Sequence, residues 1–123
     1  MKRDMDLIIQ ILKVIEEYKT PTNNIVVQLD GYEDEEKDEI VQGHCVLLRD
    51  AGFIEGKVGY QPYTFTVTHM TWEGHEFLDL ARNDTVVEKA KSVAKQKGLE
   101  FSSLPLDIAK DFLSSTFKSM IGL

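Results

Sequence analysis

The feature that most restricts the fold is a helical pattern that stops at a glycine and runs straight into strand residues. Ile40, Val41, His44, Cys45, Leu47, Leu48 and Ala51 recur at helical spacing and project onto one inner face. Gly52 follows at once, at a position where a left-handed backbone ends a helix easily. Phe53 to Val58 and Tyr63 to Met70 then read as the arms of a hairpin around Gly59-Tyr60-Gln61-Pro62. In the second arm Thr64, Thr66 and Thr68 alternate with Phe65 and Val67, as in a half-buried strand. Thr71 is placed to cap a helix from Trp72 to Arg82, expected to bury Trp72, Phe77, Leu78 and Ala81. The helix must end sharply at Gly52 for the strand to fold back.

The remaining segments add helices and one strand. Asp4 or Asp6 can cap a first helix carrying Leu7, Ile8, Ile11, Leu12, Val14, Ile15 and Tyr18. Ile25 to Leu29 reads as a short strand that should pair with the hairpin to make three strands. Asp30-Gly31-Tyr32 is a turn. The helix before Gly52 is expected from about Glu33, its acidic start complementing the positive helix end. Thr85-Val86-Val87-Glu88 reads as a capping box opening a fourth helix to about Gln96. Ser102 or Ser103 is expected to cap a last helix with Pro105 in its first turn. The fold class is therefore α+β: residues 1–82 form the core and 83–123 a helical extension packed on it within one compact domain.

Charge and cysteine content exclude several classes. With 21 acidic against 14 basic side chains the net charge is −7, which opposes generic nucleic-acid binding. The lone Cys45 has no disulfide partner and suits a reducing cytoplasm. No apolar run is long enough to span a bilayer, so no membrane role is expected. His44, Cys45, His69 and His75 match no metal-ligand spacing. No nucleophile elbow and no glycine-rich phosphate loop is present. No enzyme activity, metal or cofactor is expected, and no catalytic residue is assigned.

The stretch His44-Cys45-Val46-Leu47-Leu48-Arg49-Asp50-Ala51-Gly52-Phe53-Ile54 resembles the end of a winged-helix recognition helix entering its wing. Met70-Thr71-Trp72-Glu73-Gly74-His75-Glu76-Phe77-Leu78 is similar to the junction that follows the wing in such regulators. The whole chain also resembles an uncharacterised bacterial and phage family, domain of unknown function 2513. The opening Met1-Lys2-Arg3-Asp4-Met5-Asp6-Leu7-Ile8, both stretches above and Asn83-Asp84-Thr85-Val86 carry that resemblance. It implies a winged-helix-like fold and a cytoplasmic, often prophage-linked setting, with no activity or catalytic residue to transfer. In one place the chain departs from an ordinary winged helix. The helix that should precede the recognition helix has only Ile25 to Tyr32 available, which reads as strand and turn.

The surface that would enter a major groove is acidic. Its outward arc carries Glu35, Glu36, Asp38, Glu39 and Asp50 with Arg49 as the sole base, about −4 by helical projection. Phosphates would be repelled. Glu35, Glu39, Gln42, Val46 and Arg49 project outward and are candidates to meet a protein partner. The hairpin offers Lys57, and the fourth helix offers Lys89, Lys91 and Lys95 opposite its apolar face, as candidate nucleic-acid contacts. The last helix spreads Leu106, Ile108, Ala109, Phe112, Leu113, Phe117, Met120 and Ile121 over an arc of about 220°, wider than the ~100° stripe of a helix lying on one core. Phe112, Phe117 and Met120 are candidates for self-association or partner binding, unless the helix is wedged between others. Asp107, Lys110, Asp111 and Lys118 give it no basic excess for a membrane surface. Two function classes remain, a protein-interaction or assembly module and a DNA-binding regulator.

Overall fold

The computed structural model describes all 123 residues. In chain order the elements are α1 (Met5–Tyr18), β1 (Ile25–Val26), α2 (Glu35–Asp50), β2 (Ile54–Tyr60), β3 (Tyr63–Met70), α3 (Trp72–Ala81), α4 (Asp84–Gln96), a 3-10 turn (Phe101–Ser103) and α5 (Leu106–Met120). Three antiparallel strands form one sheet in the order β1-β3-β2. The architecture is α+β, with the expected pairing of the first strand to the hairpin. That first strand is shorter than expected, and Val27 to Leu29 lie beyond its pairing. No helix stands between β1 and α2; the chain there is extended and then turns at Asp30-Gly31.

α1 is the centre of the core. The Asp4 carboxylate caps it by accepting from the backbone N–H groups of Asp6 and Leu7. Met5, Leu7, Ile8, Ile9, Ile11, Leu12 and Ile15 are all buried, more of the helix circumference than a single stripe. The reason is enclosure: α2, α3, β3 and the 3-10 turn all pack on it. Each such side chain withdrawn from water contributes about 1.5–3 kcal/mol. Asp6–Lys91 (2.8 Å), Lys13–Asp84 (2.9 Å) and Glu16–Arg82 connect the polar side of α1 to α4, its first residue and the end of α3. Being exposed, these pairs orient the helices more than they stabilise them.

Gly52 has φ +81°, the left-handed value that a sharp helix end requires. Phe53 N–H donates back to the Leu48 carbonyl, and Thr71 Oγ1 donates to the Gly52 carbonyl (2.6 Å) while accepting from Gly74 N–H (3.1 Å). One threonine therefore closes the α2 end and opens α3. Gly74 allows this closeness: a Cβ there would lie 2.2 Å from the Phe53 carbonyl oxygen.

Gln42 is wholly buried, not outward. Its Nε2 donates to the Val27 carbonyl (2.9 Å) and its Oε1 accepts from Phe65 N–H (2.9 Å). The β1–β3 register pairs Ile25 with Val67 and Val26 with Thr66, so Val27 opposite Phe65 is the next rung. The carboxamide stands in that rung and supplies one donor and one acceptor, as a peptide group would.

Other expectations are corrected by the packing. Trp72 is 75% exposed, with its indole N–H donating to the Glu76 carboxylate (2.6 Å). Asn83, not Thr85, caps α4, accepting from Thr85 and Val86 N–H. The Ser102-Ser103 segment forms the 3-10 turn, and Pro105 stands at the cap position of α5 without a side-chain cap. The hairpin turn is tighter, with β2 extending to Tyr60 and only Gln61-Pro62 between the arms.

Two outcomes follow. Gln42→Leu leaves the Val27 carbonyl and Phe65 N–H buried without partners and is expected to cost about 3 kcal/mol; urea unfolding measures it, and a loss below ~1 kcal/mol would refute the bridging role. Burial, with Asp38 adding repulsion, pushes the Cys45 thiol up to about 12. Near neutral pH the folded protein is therefore expected to leave a thiol-reactive dye almost unreacted, with one equivalent released on unfolding.

Candidate functional site

Burial of five consecutive residues, Val41 to Cys45, determines which side of α2 faces outward. Val41 and Cys45 enter the core, and Gln42 reaches the sheet. His44 is also fully buried: its Nδ1 donates to the Ile40 carbonyl (2.8 Å), so its Nε2 accepts from Asp4 N–H (3.0 Å). That pair of bonds requires a neutral imidazole and holds the residues before α1 against α2. Met1 then lies over Gly43, where a Cβ would come within 2.8 Å of the Met1 sulfur.

What remains outward is a groove of about 600 Å³ lined by Met1, Glu36, Glu39, Ile40, Gly43, Val46, Leu47 and Tyr63. Ile40 is 38% exposed and Leu47 half-buried, so both leave the inner face expected from helical projection. Tyr63 and Tyr60, rings 5.9 Å apart, continue the aromatic surface onto the hairpin. Glu35, Glu36 and Glu39 form no ion pair. The floor is thus apolar and the α2 side is acidic.

The outward candidates separate. Glu39 and Val46 line the groove, and Glu35 is exposed beside it. Gln42 is structural. Arg49 is half-buried, with its guanidinium 5.7 Å from the Phe65 ring centroid and 3.3 Å from the Asp50 carboxylate. Met1, Ile40, Gly43, Leu47 and Tyr63 escaped sequence reasoning. Their signal was present as Glu36, Ile40, Gly43 and Leu47, a second stripe at spacings of four, three and four.

The other candidates occupy different surfaces. Lys57 is exposed on β2, and Lys89 and Lys95 are exposed on α4. Lys91 is engaged by Asp6 and Glu88, which raise its pKa further above the ordinary lysine range. Phe112 and Phe117 are partly buried and pack on the core, so α5 uses much of its apolar width inside the chain. Met120 is 40% exposed and lines a shallow groove with Lys89, Val93 and Phe112. His69 and His75 meet in a cleft with Glu16 and Lys19 near the end of α1, and His69 is 3.3 Å from the Glu55 carboxylate. No group of three or more histidine, cysteine or acidic side chains there or elsewhere is arranged to hold a metal. No helix is long and apolar enough to cross a membrane.

The chain matches the family described as "Hypothetical protein (DUF2513)" over residues 2–100, from before α1 through α4 and short of α5. It is similar to a protein of Haemophilus influenzae described as uncharacterized, 34% identical over 125 residues, covering 99% of this chain and 100% of that protein. No solved structure matches it. The chain belongs to the DUF2513 family.

Proposed function

We propose that the protein is an interaction module of winged-helix-like design whose α2 face receives another protein. The observation that carries this reading is the groove on α2, with apolar Ile40, Val46 and Leu47 at its floor, Tyr63 at its edge and unpaired carboxylates beside it. Apolar and aromatic side chains concentrated at the centre of a surface are the composition of protein-binding hot spots. A helix that reads DNA needs bases aimed at phosphates, and the only base in the last turn of α2, Arg49, is held by Asp50 and Phe65.

The alternative, a DNA-binding regulator, draws on the element order helix, strand, helix, hairpin, helix. Its support is thin in charge: Lys57 is the only Lys or Arg in the hairpin, and no helix stands between β1 and α2 to brace it on a phosphate backbone. Self-association through α5 draws on Ile108, Met120 and Ile121, which stay exposed beyond the packed Phe112 and Phe117. A cytoplasmic setting fits the single, buried, free thiol.

A photo-crosslinking residue at Val46 is expected to capture a defined protein in the native host, and the same residue at Lys57 is not. Duplex DNA is expected to show no retardation at moderate salt. Sequence-specific retardation that Lys57→Glu abolishes would overturn the interaction reading in favour of DNA.

A further inference from the structure

The α2 groove has a shape and a charge that together describe its occupant. The apolar and glycine positions Ile40, Gly43 and Leu47 lie on one line along α2, with Val46 beside it. From Glu36 to Leu47 this line runs about 16 Å along the helix axis at ~1.5 Å per residue. An apolar stripe parallel to a helix is the complement of another helix lying along it: anchors spaced three and four residues apart meet the same spacing. An extended strand would need unpaired backbone at a sheet edge, and the groove is walled by helix, by Met1 and by the Tyr63 side chain instead.

Charge then selects among helices. Three acid–base pairs join elements elsewhere, at Asp6–Lys91, Lys13–Asp84 and Glu16–Arg82. Along the N-terminal half of α2, Glu35, Glu36 and Glu39 are left without a base; the one lysine there, Lys37, is 3.8 Å from Asp34. Lys2 and Arg3, next to Met1 in sequence, form no ion pair with them either. An acidic helix face beside an apolar floor repels an acidic partner and steers a basic one.

Resting on the interaction reading above, we infer that the groove takes an amphipathic helix of a partner protein, with aliphatic anchors over Ile40, Val46 and Leu47 and Lys or Arg beside Glu36 and Glu39. The anchors displace water from the floor and supply the affinity. The basic flank sets orientation, because only one direction of the helix brings its bases to the acidic half of α2.

The test uses the full chain and two synthetic helical peptides with the same leucine stripe, one flanked by lysine and one by glutamate. Anisotropy titration gives affinity, and amide chemical shifts locate the contact. The lysine peptide is expected to bind about 10-fold tighter than the glutamate peptide, as two or so surface ion pairs allow. Its shifts are expected at Ile40, Gly43, Val46 and Leu47, with the preference weakened by salt. Glu36→Lys/Glu39→Lys, both exposed and outside the core, is expected to reverse the preference while leaving the fold intact. Binding of neither peptide, equal binding of both, or shifts away from α2 would each overturn the inference. The interaction reading has its own arbiter in crosslinking from Val46, so a failed peptide test with crosslinking retained rejects only this occupant. Loss of both, with DNA retarded, rejects the reading itself.

Discussion

The carboxamide of Gln42 holds together three elements that sequence separates. β1 pairs with β3 over only two residues, and the next rung is completed by a side chain from α2. A two-residue strand has little stability of its own. It persists because its continuation, Val27, is buried and its carbonyl is satisfied by Gln42. Gln42 Nε2 also lies 3.3 Å from Asp38 on its own helix, which fixes the rotamer that reaches the sheet. A buried amide satisfied on both ends defines one register, since any slip of β3 would leave its donor or acceptor empty in a dry interior.

The same residue determines the outward face of α2. With Gln42 turned to the sheet, Val41 and Cys45 are directed into the core, and Gly43 and His44 lie under the N-terminal segment. Ile40, Val46 and Leu47 are then left around the groove. The groove therefore lies on the side of α2 that the buried run Val41 to Cys45 leaves outward. The groove and the most constrained polar group of the interior share one helix.

Much of the fold was legible because local chemistry and packing agree there. Asp4, Gly52 and Thr71 each mark a helix end by a mechanism that needs no tertiary information, and each stands where expected. The errors fall where tertiary contacts override local pattern. Gln42 looks like a surface residue on any projection, and only the gap between Val27 and Phe65 makes it a core residue. Trp72 looks like core, yet it is the first residue of α3, where Gly74 rather than the indole faces Phe53. Asn83 outranks Thr85 because the chain between α3 and α4 leaves just that one extended residue to serve as cap. The candidate site was half legible: Glu39 and Val46 were visible, while Met1 and Tyr63 come from segments far away in sequence and are joined to α2 by packing alone.

The absence of a helix between β1 and α2 ties these points together. In a helix-turn-helix arrangement the preceding helix covers one flank of the recognition helix and leaves its far side for DNA. Here Val27 and Leu29, in extended chain, are buried together with Val41 in one core cluster. Extended chain presents backbone carbonyls that a helix would have satisfied internally, and one of these is the acceptor that Gln42 meets. Extended chain at this place is therefore matched by a polar residue on the inner side of α2. Placing that residue inward left Ile40 and Leu47 outside, beside acids that have no base. The extended chain before α2 and the apolar, acidic-sided outer face of α2 are in this sense two sides of one packing arrangement.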